Sequence, residues 1–212
     1  MIDKWLSKSK INGGLEKLAK KLFFEKISAN QLTVIGLFIG LLSALFILLS
    51  ELSPWTFEFI ISSIILMALS FFFDVLDGAV ARLEKPSIFG GILDIFCDRT
   101  VEVSIIMALI STDPSALMWP GIFSLGAIIL CITMFLIVGG SIKETDLEES
   151  MKVIYYRHGL IERSETFIFL LLITILVLLR FILLIIFAVL VFITALLRLR
   201  DAYLIFKTRK II

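Results

Sequence analysis

DVLDGAVARLEKPSIFGGILDIFCD, residues 74–98, places four aspartates, an arginine and three glycines inside a chain that is otherwise mostly hydrocarbon. Charged side chains at membrane depth cost about 2.5 to 3.5 kcal/mol each on insertion scales. Four bare carboxylates therefore approach ~10 kcal/mol at the midplane. The stretch requires compensation, and a divalent cation is the first candidate.

The surrounding composition establishes that membrane depth is the right frame. Of 212 residues, 59% are hydrophobic and 18% charged, and the mean hydropathy is +1.06. Soluble domains run nearer 45–50% apolar, so the sequence reads as an all-α polytopic membrane protein. Cys97 and Cys131 both fall in apolar segments without metal-site spacing and read as small buried hydrophobes. His158 is the only histidine, which argues against a histidine metal site and against a Ser-His-Asp triad.

Working outward, six apolar stretches approach the ~20 residues that a span requires. They lie at about 31–50, 56–81, 88–111, 116–140, 164–179 and 181–199. Glu51–Pro54 and Thr112–Ser115 supply turns, Arg180 marks the break between spans 5 and 6, and Lys143–Arg163 reads as a loop with a short helix. Ahead of them, residues 1–30 carry Lys4, Lys8, Lys10, Lys17, Lys20, Lys21 and Lys26, with Leu15, Leu18, Leu22 and Phe23 at helical spacing. That pattern suits an N-terminal amphipathic helix lying in the interface against anionic lipid, and it lacks the short apolar core of a signal peptide. The expected organisation is thus a juxtamembrane helix (1–30), a six-helix transmembrane domain (31–206) and a basic tail (207–212). Of the 20 lysines and arginines, all but Arg180 fall on one side of this topology. The positive-inside rule puts that side, with both termini, in the cytoplasm of a plasma-membrane protein.

On helices, the aspartates form two stripes. Asp74, Asp77, Gly78, Ala81 and Arg82 share one face of span 2, and Gly90, Gly91, Asp94, Asp98 and Glu102 one face of span 3. The short connection Leu83–Ser87, with Pro86 stopping the helix, predicts that the spans are antiparallel neighbours whose carboxylates converge. Carboxylates at such density repel unless cations sit between them, and hard oxygen donors fit Mg²⁺ or Mn²⁺, as one ion or a pair, with Ca²⁺ as the alternative. The small residues leave room beside the metals, and Arg82 offers a planar fork for phosphate. Together they point to a diphosphate ligand. From Trp55 to Asp77 a helix runs about 34 Å against a hydrocarbon core of ~30 Å, so the aspartates lie near the cytoplasmic interface. A lipid tail can stay in the bilayer there while a soluble substrate enters from the cytosol.

The spacing Asp74-x-x-Asp77-Gly78-x-x-Ala81-Arg82, then Gly90-x-x-x-Asp94-x-x-x-Asp98, resembles the signature of the CDP-alcohol phosphatidyltransferases, six-span enzymes that displace CMP from a CDP-linked lipid or alcohol. The sequence departs from the family pattern by one missing residue between Arg82 and Gly90, where the turn around Pro86 can absorb it. The resemblance implies that Asp74, Asp77 and Asp94 hold a first metal, and that Asp98 holds a second metal and is the general base. It also implies that Asp74, Gly78, Ala81, Arg82 and Ser87 contact the CDP moiety, with Asn30 and Thr33 peripheral to the nucleotide. N-capping of span 1 is the competing reading of Asn30 and Thr33. The implied partners are a CDP-linked lipid (CDP-diacylglycerol or CDP-archaeol), a small alcohol or alcohol phosphate, membrane lipid and a second copy of the chain, with no nucleic acid.

Ahead of span 5, Arg157 and Arg163 are candidates to bind an acceptor phosphate; the alternative is that they anchor the span by the positive-inside rule. Glu102 reads as a structural hydrogen-bonding group beside the second metal. A cation transporter is the competing function class, because intramembrane carboxylates also line ion pathways. No acidic row continues through the membrane beyond Glu102, and an ion pathway requires neither Arg82 nor the ordered glycines.

Overall fold

The structure, a computed structural model, describes residues 19–20, 26–51, 54–84, 87–141, 161 and 163–209. These residues are helical with short connections and contain no strand. The main elements are α1 (Ala29–Leu49), α2 (Thr56–Leu83), α3 (Ile88–Thr112), α4 (Pro114–Ser141), α5 (Arg163–Ile175) and α6 (Arg180–Arg209), with a 3-10 turn at Val177–Leu179. Most of the expected amphipathic helix, the connection Lys85–Pro86, residues 142–160 with Arg157 and His158, and the last residues 210–212 lie outside the described residues.

Local chemistry sets the helix ends. Ser28 caps α1 through a capping box: its hydroxyl accepts from the Gln31 amide at 3.3 Å, and the Gln31 side chain accepts from the Ser28 amide at 3.0 Å. The cap is therefore Ser28 rather than Asn30 or Thr33, and the Thr33 hydroxyl is used elsewhere. Ser87 caps α3 by accepting from the Gly90 amide at 2.9 Å. Asp113 alone separates α3 from α4, with Pro114 at the first helical position, where its missing N–H costs nothing. The Asp113 carboxylate accepts from the Ser115 hydroxyl at 2.6 Å and the Ala116 amide at 3.2 Å. These bonds, the hydroxyl's first, hold its pKa below the usual carboxylate value. Their contribution is in force at neutral pH and is lost as the pH falls through that lowered value.

α1 is the central packing element. It lies against both α2 and α3, while α4 packs on α6 and α3, and α5 reaches α6, α2 and α3. α2 and α3 bring Asp74, Asp94 and Asp98 together, as expected of antiparallel neighbours with converging carboxylates, while their backbones pack on α1 rather than closely on each other. The cause is α1, whose two buried glycines admit both helices closely. A Cβ at Gly40 would stand 2.5 Å and 2.7 Å from the Val101 methyls on α3 and 2.9 Å from Ser70 Oγ on α2. Ser70 donates to the Gly36 carbonyl at 2.8 Å, and Ser43 donates to the Ser63 carbonyl at 2.9 Å. Between bilayer-embedded helices, close approach and hydrogen bonds of this kind replace the hydrophobic drive that lipid cannot supply.

Span 5 is shorter than the sequence suggests. α5 ends at Ile175, not 179, because Leu176 (φ −92°, ψ 69°) leaves the helix and a 3-10 turn follows. Arg180, 5% exposed, makes this break stable. Its guanidinium donates to the freed carbonyls of Ile173 (3.3 Å) and Thr174 (3.4 Å) and to the Thr112 hydroxyl (3.0 Å), tying the ends of α5 and α3 together. Among the described residues, four helical segments are long and apolar enough to cross a membrane: α1, α2, α4 and Val177–Lys207. α3 carries Asp94, Asp98, Arg99 and Glu102, and α5 has 13 residues, about 20 Å of helix. The main hydrophobic core joins Ile47, Met67, Ile106, Leu109, Leu170 and Phe187, and Cys97 and Cys131 are buried free thiols, as expected.

The glycine contact is testable. Gly40→Ala should destabilise the protein by about 1–3 kcal/mol through overpacking. Gly126→Ala, where an added Cβ meets nothing within 4 Å, should be neutral. Thermal unfolding in detergent compares the two, and equal midpoints would refute the packing role assigned to Gly40.

Candidate active site

The aspartates reach the gap that α1 holds open between α2 and α3. Asp74 and Asp77 lie one turn apart on α2, and Asp94 and Asp98 one turn apart on α3. Carboxylate oxygens of Asp74, Asp94 and Asp98 lie within 4.8 Å of one another. The fourth aspartate lines the same cleft as Asp74 and Asp98 and is tied to α1: Asp77, 5% exposed, accepts a 2.6 Å hydrogen bond from the Thr33 hydroxyl, whose oxygen also lies 3.0 Å from the Ala29 carbonyl. Thr33 therefore positions a carboxylate of the expected set. The sequence anticipated four carboxylates in one small volume; three meet there and the fourth borders it, bonded to α1.

A guanidinium sits among the three. Arg163, the first residue of α5, donates to both oxygens of Asp94 (Nη1 to Oδ2 at 3.2 Å, Nη2 to Oδ1 at 3.0 Å) and to Asp98 Oδ1 at 2.6 Å, and is paired with Asp74. Its placement is built into the fold. The buried Ile161 amide donates to Thr194 Oγ1 of α6 at 3.1 Å. On the next turn Phe167 stacks on Phe71 of α2 with ring centres 4.2 Å apart. Sequence reading gave Arg163 an acceptor-phosphate role and did not anticipate its contact with the carboxylates, since 65 to 89 residues separate the partners and no local periodicity reports on such a pairing.

Around this centre the small residues behave in two ways. An added Cβ at Gly78 would meet only Arg82 Nη1, at 3.7 Å, and one at Gly91 would meet nothing within 4 Å, so both border open space. One at Gly90 would stand 2.9 Å from Ser87 Oγ and 3.0 Å from Asn30 Oδ1, so Gly90 admits α1 to the capped start of α3. Ala81 is half-buried and Arg82 exposed on the same turns of α2 as Gly78. Arg157 is outside the described residues.

A cavity of about 370 Å³ borders the cluster, lined by Asp94, Asp98, Arg99, Arg163, Thr166 and Arg198 together with apolar side chains that include Ile128, Phe135 and Val191. Three of these side chains are cationic guanidiniums. Arg99 and the buried Glu102, three positions apart on α3, form a 2.6 Å ion pair. Arg198 lies 4.9 Å over the Phe135 ring and donates to the Cys131 carbonyl at 3.2 Å. The Arg99 and Arg198 contributions were missed in the sequence, where both read only as topology markers.

The donor chemistry fits a hard divalent cation. Carboxylate oxygens from two helices converge, no imidazole belongs to the group, and the arrangement already holds a positive group in its midst. Asp74, Asp94 and Asp98 form a group that could hold one.

Residues 26–197 match the CDP-alcohol phosphatidyltransferase family. Among curated proteins, an archaetidylinositol phosphate synthase of Pyrococcus horikoshii is 37% identical over 105 residues, 47% of this chain. The chain spans about half the length of that relative (50%). Among solved structures, the Mycobacterium tuberculosis phosphatidylinositol phosphate synthase PgsA1 with CDP-DAG bound superposes with a TM-score of 0.69. That match covers 89% of this chain and 93% of that one at 20% identity, and it shows a shared fold.

The Thr33–Asp77 bond gives a measurable expectation. Thr33→Val leaves a buried carboxylate without its hydroxyl donor and should lower stability by about 1.5–3 kcal/mol, the range for hydrogen bonds to charged groups. Thr33→Ser should restore most of the loss. Chemical or thermal unfolding of the two variants provides the comparison, and a valine variant as stable as the serine one would remove the bond from the account.

Proposed function

Since the chain belongs to the CDP-alcohol phosphatidyltransferase family, we propose that it is an integral-membrane enzyme of phospholipid synthesis. It would transfer a phosphatidyl-type group from a CDP-linked lipid, CDP-diacylglycerol or CDP-archaeol, to a small alcohol or alcohol phosphate with release of CMP. The observation that carries this reading is the convergence of Asp74, Asp94 and Asp98 between a glycine-bordered opening and an arginine-lined cavity. In this reading all six helices span the bilayer, the juxtamembrane helix occupies 1–30, and the six-helix domain runs over 31–206 with a basic tail after it. The one-sided distribution of lysine and arginine places the site at the cytoplasmic face, and the active form is a homodimer.

The proposed division of labour follows the elements. Asp74, Asp77, Asp94 and Asp98 hold Mg²⁺ or Mn²⁺, Asp77 entering the set from its place beside Thr33. When bound, the metal neutralises the diphosphate and the charge that develops on the departing CMP. Gly78, Ala81 and Arg82 contact the CDP moiety, with Ser87, Asn30 and Thr33 at its edge. Asp98 lines the arginine-lined cavity as well as the cluster, so it can meet an alcohol arriving from that side. An alcohol cannot shed its proton unaided at pH 7, and Asp98 accepts it as the oxygen attacks the lipid-side phosphorus in line with the departing CMP oxygen. Arg163, with Arg99 and Arg198 beside it, favours a phosphorylated acceptor, and Arg157 joins them from the segment ahead of α5. The names of the Pyrococcus and Mycobacterium proteins make inositol phosphate the first acceptor to test.

The purified protein, given a CDP-linked lipid, Mg²⁺ or Mn²⁺ and a panel of alcohols and alcohol phosphates, should release CMP only with metal and an accepted alcohol. EDTA should abolish release. Asp98→Asn should lower turnover by at least about a hundredfold, in the range of general-base removal, while CDP-lipid binding persists. Ion flux without CMP would replace this reading with the transport class, and full activity in Asp98→Asn would take the base role from that residue.

A further inference from the structure

The three converging carboxylates carry more negative charge than a closed, part-buried volume tolerates, yet the fold closes around them. The Arg163 guanidinium is what balances them, touching Asp74, Asp94 and Asp98 at once. A divalent cation held by the same oxygens and this guanidinium cannot occupy one place, because both require the same lone pairs and both are positive. Arg163 also has somewhere to go. It lines the cleft of about 60 Å³ that holds Asp74, Asp77 and Asp98, and also the larger cavity lined by Thr166, by Arg99 beside Glu102 and by Arg198 beside Phe135.

We propose that Arg163 is the built-in counter-ion of the metal-free aspartate cluster, and that binding of a divalent cation shifts its guanidinium into the adjoining arginine-lined cavity, where it completes an anion site for the phosphate of the acceptor. Metal loading and acceptor recognition are then two readings of one side chain. The reading rests on the metal site proposed above and adds an order to it: the acceptor-phosphate site is incomplete until the cation has displaced Arg163. By linkage, a bound phosphate that holds Arg163 in the cavity must also favour cation binding by the same factor. A cluster closed by Arg163 nine-tenths of the time weakens apparent cation affinity about tenfold.

The full chain purified in detergent without phosphate tests this in two ways. Phenylglyoxal labelling, quantified at Arg163 by peptide mass spectrometry, reports whether the guanidinium is engaged. Labelling should rise at least about threefold when Mn²⁺ is added, as expected of a group released from nine-tenths engagement. Inorganic phosphate should then protect Arg163 with Mn²⁺ present but not without it. Separately, Mn²⁺ binding followed by electron paramagnetic resonance should tighten about tenfold in Arg163→Ala, the factor by which a closed cluster weakens it. A side chain that merely holds α5 in place would give neither the metal-dependent labelling nor the tighter binding.

If Mn²⁺ binds the native chain while Arg163 labelling stays level or falls, the counter-ion proposal is overturned and the metal site stands. Weaker or unchanged Mn²⁺ binding in Arg163→Ala overturns it too, and phosphate protection that ignores Mn²⁺ overturns the transfer into the cavity. If neither protein binds Mn²⁺, the metal site itself is refuted, and the proposal with it. The labelling arm uses the native sequence, so it decides the question even if the alanine variant fails to fold.

Discussion

The contact of Arg163 with Asp74, Asp94 and Asp98 is the constraint around which the other helices are arranged. Like charges this close repel strongly where water is scarce, and the helices that carry them, α2 and α3, scarcely touch. The positive group that pairs with all three carboxylates comes from a third element. α5 supplies it at its first residue. Its approach is fixed on one side by the Ile161–Thr194 hydrogen bond to α6 and on the other by the Phe71–Phe167 stack against α2. A charge requirement at one point thus determines where the fifth helix begins and what it leans on.

The gap itself is made by α1. Its contacts with α2 form a row of small and hydroxylated groups: Thr33 to Asp77, Gly36 to Ser70, Gly40 against Ser70, and Ser43 to Ser63. Each satisfies a polar group that lipid would leave bare, and the glycines allow the backbones near enough for the bonds to form. The same glycine face receives Val101 of α3. With both neighbours pressed onto α1, the space between them stays open at the end where the carboxylates sit. The metal and substrate geometry of the proposed reaction therefore depends on a helix that contributes few ligands of its own.

What the sequence disclosed and what it hid follow from the range of each interaction. The two aspartate stripes and the six helices are consequences of spacing within one helix, and periodicity reports on those directly, whereas Ser87, read only as a CDP contact, also caps α3. The GxxxG of Gly36 and Gly40 was equally local, and its signal lay in plain view within span 1. The place of α1 against both α2 and α3 was not local: a short turn limits how far apart two helix ends lie, and says nothing of a third helix that packs on both. Nor could spacing reveal that Arg163 meets Asp74 across 89 positions. Arg180 shows the intermediate case, a charge correctly read as a break whose buried position and carbonyl-capping role emerge only once Ile173, Thr174 and Thr112 are brought around it.

α3 shows how the site and the fold depend on each other. By composition alone it falls outside the helices apolar enough to cross a bilayer, because Asp94, Asp98 and Arg99 occupy its first half and Glu102 follows just past its middle. Its second half is ordinary core, with Ile105, Ile106 and Leu109 fully buried. The charged half becomes tolerable only when each charge is answered: Asp94 and Asp98 by Arg163, and Glu102 by Arg99. Removing an answering partner leaves a charge that the low-dielectric surroundings penalise heavily, whereas forming the pair gains comparatively little. The same pairings that permit α3 to lie among apolar helices direct its carboxylates toward Arg163 and Arg99, so the groups this helix must have answered in order to pack include those proposed to hold a cation.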